Sequence, residues 1–253
     1  MTSSNGNTAS SGPGRARVQA FGHRGALGLA PENTMSGFRK ALELGVDGVE
    51  LDVHLTRDGQ VVVLHDPELA RTTDGRGMVK DLTLEQVRRF DATVRWRGRF
   101  GPEPVPTLAE VLALARGRAR VAIEIKEESP RALGPALEVV RQSGMESDCS
   151  FLSFGPGLMR EARALAPGMQ VELIVVFPFR QVGRTLAAGA NTLDLPHQLT
   201  WSWVVRRAHA AGLRVGAGIV NEPGRMRKLI AAGVDILYSD RPDLLVEIRT
   251  ALG

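Results

Sequence analysis

Cysteine is nearly absent from this sequence, in which Cys149 is the only one among 253 residues. A single thiol excludes an internal disulfide and a structural zinc site built on thiolates. The cysteine content therefore gives no indication of an oxidising compartment, and we expect a cytoplasmic protein. Cys149 opens a predicted strand, where a thiol usually acts as an inert part of the core.

Long apolar runs are also missing. No stretch approaches the roughly 18 uninterrupted apolar residues of a membrane-spanning helix, so we expect no transmembrane segment. Residues 1–17 are rich in Ser, Asn, Gly and Thr and lack the apolar centre of a secretory signal, which predicts a disordered tail. Residues 18–253 then form a single predicted domain. With 43% hydrophobic and 24% charged residues, the chain has an ordinary globular composition.

Lysine is scarce, since 28 arginines and 4 lysines supply the positive charge and the net charge is only +4. Such a small excess lacks the concentrated basic stripe of a nucleic-acid-binding protein, and we expect no nucleic-acid partner. The densest basic run, residues 88–99, is interleaved with aromatic residues. We interpret it as a solvated face with aromatic anchors.

Short apolar segments alternate with longer amphipathic segments from Val18 onward, which predicts parallel βα units. Eight segments are predicted to be strands: residues 18–21, 48–51, 121–125, 149–152, 171–175, 191–194, 214–218 and 235–238. Eight successive units favour an α/β fold of the eight-stranded parallel (β/α) TIM type, with an open doubly wound sheet as the alternative. No Gly-x-Gly-x-x-Gly follows a predicted strand, which disfavours a dinucleotide site.

The segment after the second predicted strand indicates a β-hairpin, because Asp58-Gly59 is a strong signal for a two-residue turn. Such a turn would pair Arg57 with Gln60, Val53 with Leu64, and Asp52 with His65. His65 would then lie beside Asp52 at the carboxyl end of a barrel strand. Active sites of barrel enzymes are built at that end.

Acidic and basic side chains are expected to meet at the same rim. Residues two apart on a strand share a face, so Glu50 and Asp52 point together, as do Glu124 and Lys126. Three carboxylates without cysteine suit a hard divalent cation such as Ca²⁺ or Mg²⁺. A structural salt-bridge network that includes Arg24 is the alternative.

Histidines shift the interpretation towards catalysis. His23 follows the first predicted strand, and His65 is expected at the same rim. Imidazoles exchange protons near neutral pH, a bound cation polarises phosphoryl oxygens, and Arg24 and Lys126 can hold phosphate oxygens. The combination predicts cleavage of a phosphodiester.

The motifs HRG, PENT, ELDV, HD and IEIK, with GVDILYSDRPD near the end, occur in an order and spacing that resemble the glycerophosphodiester phosphodiesterase family. The resemblance runs from about Ala20 to Leu244. It implies a TIM-type barrel with a small insertion, here residues 67–106, after the second strand. It also implies hydrolysis of small-molecule glycerophosphodiesters to glycerol 3-phosphate and an alcohol.

Carried over position by position, the resemblance implies a complete set of site residues. The family's catalytic histidines fall on His23 and His65, and its phosphate contacts fall on Arg24 and Lys126. One divalent cation, Ca²⁺ or Mg²⁺, would be held by Glu50, Asp52 and Glu124. The sequence also predicts that Asn33 caps a helix and that Asp240 and Asp243 cap the final helix around Pro242.

The chain departs from the family where an aromatic is usual in a pattern like VWTVN and this sequence has VGAGIVN. Gly216, Ala217 and Gly218 should leave a wider pocket wall, with Ala217 or Gly218 as the wall residue. The alcohol of the substrate therefore stays open, as do the oligomeric state, the roles of the two histidines and the choice between direct hydrolysis and a cyclic phosphate.

Two other functions remain in view. One is a phospholipase D-like or phospholipase C-like barrel enzyme that cleaves a lipid, which would need an apolar rim facing the membrane. In the sequence the only candidate for that rim is the group Phe90, Trp96 and Phe100. The other is a non-catalytic barrel that binds a phosphate ligand.

Overall fold

The computed structural model describes residues 17–126 and 129–252. Apart from Arg17, the predicted N-terminal tail lies outside the described residues. No described helix has the length and apolar character needed to cross a membrane.

Among the described residues, nine strands form one sheet that closes on itself. In chain order they are β1 (Gln19–Gly22), β2 (Gly48–Leu55), β3 (Val61–Val63), β4 (Arg120–Ile125), β5 (Cys149–Ser153), β6 (Gln170–Ile174), β7 (Thr192–Pro196), β8 (Arg214–Gly218) and β9 (Ile236–Ser239). Eight of them are parallel to their neighbours, and β1 pairs with both β2 and β9, which closes the barrel. The predicted TIM-type fold is confirmed, and each predicted strand overlaps a barrel strand.

Helices surround the barrel. They are α1 (Met35–Glu43), α2 (Leu84–Val87), α3 (Leu108–Ala115), α4 (Leu133–Ser143), α5 (Pro156–Leu165), α6 (Gln181–Ala187), α7 (Ser202–Ala210), α8 (Pro223–Ala232) and α9 (Pro242–Ala251). The residue that caps α1 is Thr34, whose Oγ1 accepts a hydrogen bond from the Gly37 N–H at 3.1 Å. The prediction that Asn33 is this cap is wrong, since its side chain turns towards β2.

The two faces of each strand have different tasks. On β2, Val49, Leu51 and Val53 pack into the large apolar core between barrel and helices. Glu50 and Asp52 alternate with them and therefore point to the barrel interior. A smaller apolar layer fills part of that interior: Phe21, Ala122, Leu152, Ile236 and Tyr238.

The hairpin of β2 and β3 has a register one residue away from the predicted one. Val53 pairs with Val63, and Leu55 pairs with Val61, so the predicted partners are wrong. The physical reason is a three-residue loop: the Thr56 N–H donates to the Gln60 carbonyl at 2.9 Å, and Gly59 takes a φ of +79°. Asp52 consequently lies opposite Leu64, whose N–H donates to its carbonyl.

The predicted insertion, residues 67–106, falls between β3 and α3 and has its own apolar cluster. Phe90 packs against this cluster, and the Trp96 and Phe100 rings meet edge to face at 5.7 Å. All three aromatic residues are half-buried. They are therefore not the exposed apolar rim that a lipid-cleaving enzyme would need.

Candidate active site

Barrel closure brings four neighbouring strand ends together. The order β9, β1, β2, β4 is set by parallel pairing, in which Gly22 lies beside Ser239 and Asp52 lies beside Glu124. The predicted site residues, which are spread along the chain between His23 and Lys126, therefore meet at one rim.

Glu50, Asp52 and Glu124 form a compact carboxylate cluster. One oxygen from each lies within 4.8 Å of the others. The three residues are 3%, 0% and 8% exposed. Charges buried this deeply require compensation, because an unpaired carboxylate is costly away from water.

Lys126 and Arg24 supply part of that compensation. The Lys126 Nζ lies 2.6 Å from Asp52 Oδ1 and 2.7 Å from Glu124 Oε1. The Arg24 backbone N–H donates to Glu50 Oε2 at 2.9 Å, and its Nε lies 3.3 Å from Asp52 Oδ2. Asn33 Nδ2 donates to the same Asp52 oxygen at 2.9 Å. The role of Asn33 is thus to hold Asp52 rather than to cap a helix.

The cluster still carries more negative charge than its neighbours offset. Burial would raise the pKa of Asp52, but Lys126 and Arg24 lower it to about 2. Burial and the charge of Asp52 raise the pKa of Glu50 and bring the pKa of Glu124 to about 7. Without a further cation, Glu124 therefore holds a proton over much of the range below neutral pH.

These residues fit a divalent cation. Three oxygen donors converge within the distance that one ion can bridge, and burial together with like-charge repulsion raises the pKa of two of them. Oxygen donors alone suit Ca²⁺ or Mg²⁺ better than zinc. The electrostatics and the donor chemistry therefore agree with the cation site predicted from sequence.

His23 is oriented by Asp240. Its Nδ1 lies 2.6 Å from Asp240 Oδ1, and its Nε2 lies 3.9 Å from Glu50 Oε2. Burial lowers the pKa of His23, but the Asp240 hydrogen bond and the charge of Glu50 outweigh it and hold the pKa above its ordinary value. The prediction that Asp240 caps the last helix is wrong, because Arg241 occupies that position.

His65 is held in the same way by its neighbour. Its Nδ1 lies 2.6 Å from Asp66 Oδ1, and Arg71 binds the other Asp66 oxygen. Arg71 also forms a two-pronged contact with Glu32, which in turn accepts from Arg24. A continuous chain of ion pairs and hydrogen bonds thus runs from His65 to Arg24, by way of Asp66, Arg71 and Glu32.

His54 is buried and supports the backbone of His65. Its Nδ1 lies 2.7 Å from Ser129 Oγ, and its Nε2 lies 3.0 Å from the His65 carbonyl oxygen.

A cavity of about 290 Å³ connects the predicted site residues. Its polar half is lined by His23, Arg24, Glu50, His65, Glu124 and Lys126. The rest of its lining is mostly apolar, with Leu152, Phe154 and Ile219 among the lining residues, and also contains Asp194. This polar half therefore offers two imidazoles, two carboxylates and two cationic side chains to a ligand that also has a less polar part.

The wall at the departure from the family pattern is built by Gly218, not by Ala217. Of the two residues expected to form the wall, Gly218 lines the cavity, whereas Ala217 packs into the core that faces the helices. A Cβ on Gly218 would lie 2.9 Å from the Tyr238 Cβ. Tyr238 thus takes part of the space next to these glycines, and its hydroxyl donates to Glu172 at 2.9 Å.

Sequence reasoning missed the two aspartates that orient the histidines. Asp66 directly follows His65, so adjacency was the available signal. Asp240 follows β9 and His23 follows β1. The two residues become neighbours only because β9 pairs with β1 in the barrel. Asp194 and Glu172 form a buried acidic pair in the barrel. No sequence motif marks either residue.

Comparison with known proteins gives a consistent result. A model of the glycerophosphoryl diester phosphodiesterase family matches residues 23–244. A glycerophosphodiester phosphodiesterase of Caldanaerobacter subterraneus is 32% identical over 244 residues, covering 92% of this chain and 98% of the relative.

Solved structures extend this similarity to the fold. The glycerophosphodiester phosphodiesterase of Agrobacterium tumefaciens has a TM-score of 0.82 and 29% identity, covering 91% of this chain and 99% of that chain. A phosphodiesterase of Oleispira antarctica, in complex with the product sn-glycerol-3-phosphate, has a TM-score of 0.83 and 28% identity, covering 92% and 96%.

Proposed function

This chain belongs to the glycerophosphoryl diester phosphodiesterase family and is an enzyme of that class, and from this premise we propose that it hydrolyses glycerophosphodiesters to glycerol 3-phosphate and an alcohol with a divalent cation. One observation carries the proposal. Two histidines, each held through Nδ1 by a carboxylate, line the same cavity as Glu50 and Glu124, which belong to a cluster of three buried carboxylates within 4.8 Å of one another.

Glu50, Asp52 and Glu124 would hold the cation, Ca²⁺ or Mg²⁺. When bound, that ion supplies charge stabilisation at the phosphoryl oxygens. Arg24 and Lys126 add fixed positive charge beside the same carboxylates, and both line the cavity. The diester is thereby oriented with its phosphate towards the polar half of the cavity.

The histidines move the protons. Each imidazole uses Nδ1 for an aspartate and keeps Nε2 for the reaction, as in other carboxylate-oriented histidines. One Nε2 takes the proton of the attacking hydroxyl as its oxygen bonds to phosphorus. The other Nε2 gives a proton to the alcohol oxygen as the bond between that oxygen and phosphorus breaks.

The test measures glycerol 3-phosphate release from glycerophosphocholine by the full chain, after chelation and after return of Ca²⁺ or Mg²⁺. We expect His23→Ala and His65→Ala each to lower turnover about 10²–10⁴-fold. His209→Ala is the matched control, because His209 is an exposed histidine paired with Asp235 away from the cavity. Full activity after chelation would refute the role of the cation.

A second substrate assigns the two histidines. A glycerophosphodiester with a p-nitrophenol leaving group needs no proton from the enzyme, so the variant that lacks the general acid should regain most of its activity on it. The variant that lacks the base should not. Equal loss for both variants on both substrates would contradict the division of roles.

We also propose a cytoplasmic location, because the chain has a single cysteine and Cys149 is buried, with burial raising the pKa of its thiol to about 12. Fractionation of cells that express the full chain would test this location.

A further inference from the structure

Exposed apolar side chains gather on one sector of the barrel rim. Nine large hydrophobic side chains are exposed among the described residues, and six of them lie between the ends of β5, β6 and β7 and the first turn of the helix that follows each strand. These six, which we call the aromatic rim, are Phe154, Val176, Phe177, Phe179, Trp201 and Trp203. Phe179 is 76% exposed and Phe177 is 57% exposed. Single exposed apolar residues are ordinary, but a contiguous group marks an interaction surface.

Contacts join the aromatic rim into one surface. A groove of about 530 Å³ is lined by Phe154, Val176 and Phe177. A second cavity of about 170 Å³ lies between Phe179 and Trp203. Trp203 stacks on Trp201 with ring centroids 6.0 Å apart. Pro178 lines the second cavity and lies between Phe177 and Phe179 in the chain, so the groove and the second cavity follow one another along the segment after β6.

The aromatic rim borders the active-site cavity. Phe154 and Val176 line both that cavity and the groove. A molecule seated on the rim would thus lie at the mouth of the site, on the side opposite the histidines and carboxylates.

Positive charge is interleaved with these apolar side chains. Arg160 and Arg184 line the groove, and Arg180 and Arg207 line the second cavity. The Arg184 guanidinium lies over the Phe177 ring at 5.0 Å. Among the described residues that line these two cavities there is no Asp or Glu.

We propose that the aromatic rim docks the enzyme on an anionic lipid bilayer, with the active-site mouth next to the lipid headgroups. Exposed aromatic side chains enter the interfacial region of a bilayer, and arginines beside them attract anionic headgroups. A second copy of the chain fits this surface poorly, because a symmetric dimer would place the four arginines of one copy against those of its partner. The charge pattern therefore favours lipid.

The experiment measures sedimentation of the full chain with vesicles of phosphatidylcholine alone and of phosphatidylcholine mixed with phosphatidylglycerol. We expect binding to the anionic vesicles that weakens as salt rises. Phe179→Ala with Trp203→Ala should weaken binding at least about tenfold. Arg180→Gln and Arg184→Gln should each weaken it about fivefold.

Two matched controls separate the rim from general stickiness. Leu165→Ala and Leu252→Ala remove similarly exposed side chains outside the rim and should leave vesicle binding unchanged. Phe179 and Trp203 do not line the active-site cavity, so their double variant should hydrolyse water-soluble glycerophosphocholine at the parent rate.

The proposal fails if the parent does not bind anionic vesicles at low salt, or if the control variants weaken binding as much as the rim variants. It also fails if size-exclusion chromatography shows that the parent is a dimer and that the rim variants are monomers. Vesicle binding needs no turnover, so loss of the proposed hydrolase activity would leave this result interpretable.

Discussion

The two histidines share a design in which an aspartate fixes the ring through Nδ1 and leaves Nε2 for the reaction. The two aspartates differ in surroundings. Asp66 is tied to Arg71, whereas Asp240 accepts a second hydrogen bond from Asn221 Nδ2 at 2.7 Å. Burial raises the pKa of Asp240, but its contacts with His23 and Asn221 hold it below its ordinary value, so it stays ionised beside the imidazole.

Asp240→Asn should therefore impair proton transfer by His23 without weakening cation binding. An amide cannot hold the imidazole in the same tautomer, and we expect kcat to fall about 10²-fold or more while cation affinity stays at the parent value. Steady-state kinetics with calorimetry would check both. Asp243→Asn is the control. Asp243 lies three positions after Asp240 in the chain and pairs with Arg241 at the surface. Parent-like kcat in Asp240→Asn would show that the contact is only structural.

Glu124 predicts a pH dependence of cation binding. Burial and the charge of Asp52 raise its pKa to about 7, so a proton competes with the cation below that pH. We expect cation affinity to fall roughly tenfold for each pH unit below 7 and to level off above it. Calorimetry in buffers of different ionisation enthalpy should show a proton released near pH 6. Affinity that is flat from pH 5 to 8 would contradict this assignment.

At the scale of elements, the sequence carried the strand and helix pattern but not the fine register. Buried apolar runs such as residues 121–125 identify barrel strands because both faces of those strands are covered. The predicted register of the hairpin differs from the observed one by one residue, because Asp58-Gly59 is compatible with loops of two or three residues. The contact of Thr56 Oγ1 with the Asp58 carboxylate, which belongs to the longer loop, is a matter of side-chain geometry.

Site residues could be predicted where they stand on strands, and less well where neighbours come from distant sequence. Glu50 and Asp52 follow from alternation along one strand. Asp240 lies 217 positions from His23, and their contact exists only because β9 closes against β1. A pattern that is local in sequence does not contain that pairing.

The β8 strand provides a prediction at this scale. A Cβ on Gly216 would overlap Asp194 Oδ1 and lie 3.2 Å from a Tyr238 ring carbon. Gly216→Ala should thus lower the free energy of unfolding by about 1–3 kcal/mol, which urea denaturation measures. Gly168→Ala, at a glycine with open space around it, is the control. Combining Gly216→Ala with Asp194→Ala should recover part of the loss, and strict additivity would contradict the clash.

At the scale of the whole molecule, the order of strands in the barrel determines where charge accumulates. The carboxylates come from β2 and β4, which are adjacent in the sheet although Glu50 and Glu124 are far apart in sequence. Their repulsion opposes the folded state, since the unfolded chain holds them apart in water. A cation that binds only the folded barrel would remove this opposition and add its own binding free energy.

Cation binding should consequently stabilise the entire barrel. At a concentration 100 times the Kd, a ligand specific for the folded state adds about 2.7 kcal/mol. For a chain of this size, that free energy corresponds to a rise in Tm of roughly 5–10 °C. We would record thermal unfolding after chelation and with Ca²⁺ or Mg²⁺ at matched ionic strength, and the ion that gives the larger shift is the better fit to the site. Asp52→Asn should abolish the shift, because Asp52 is the most deeply buried of the three carboxylates. The same shift in that variant would mean that the cation stabilises the protein from another place, and the three carboxylates would then be a salt-bridge network with Lys126 and Arg24.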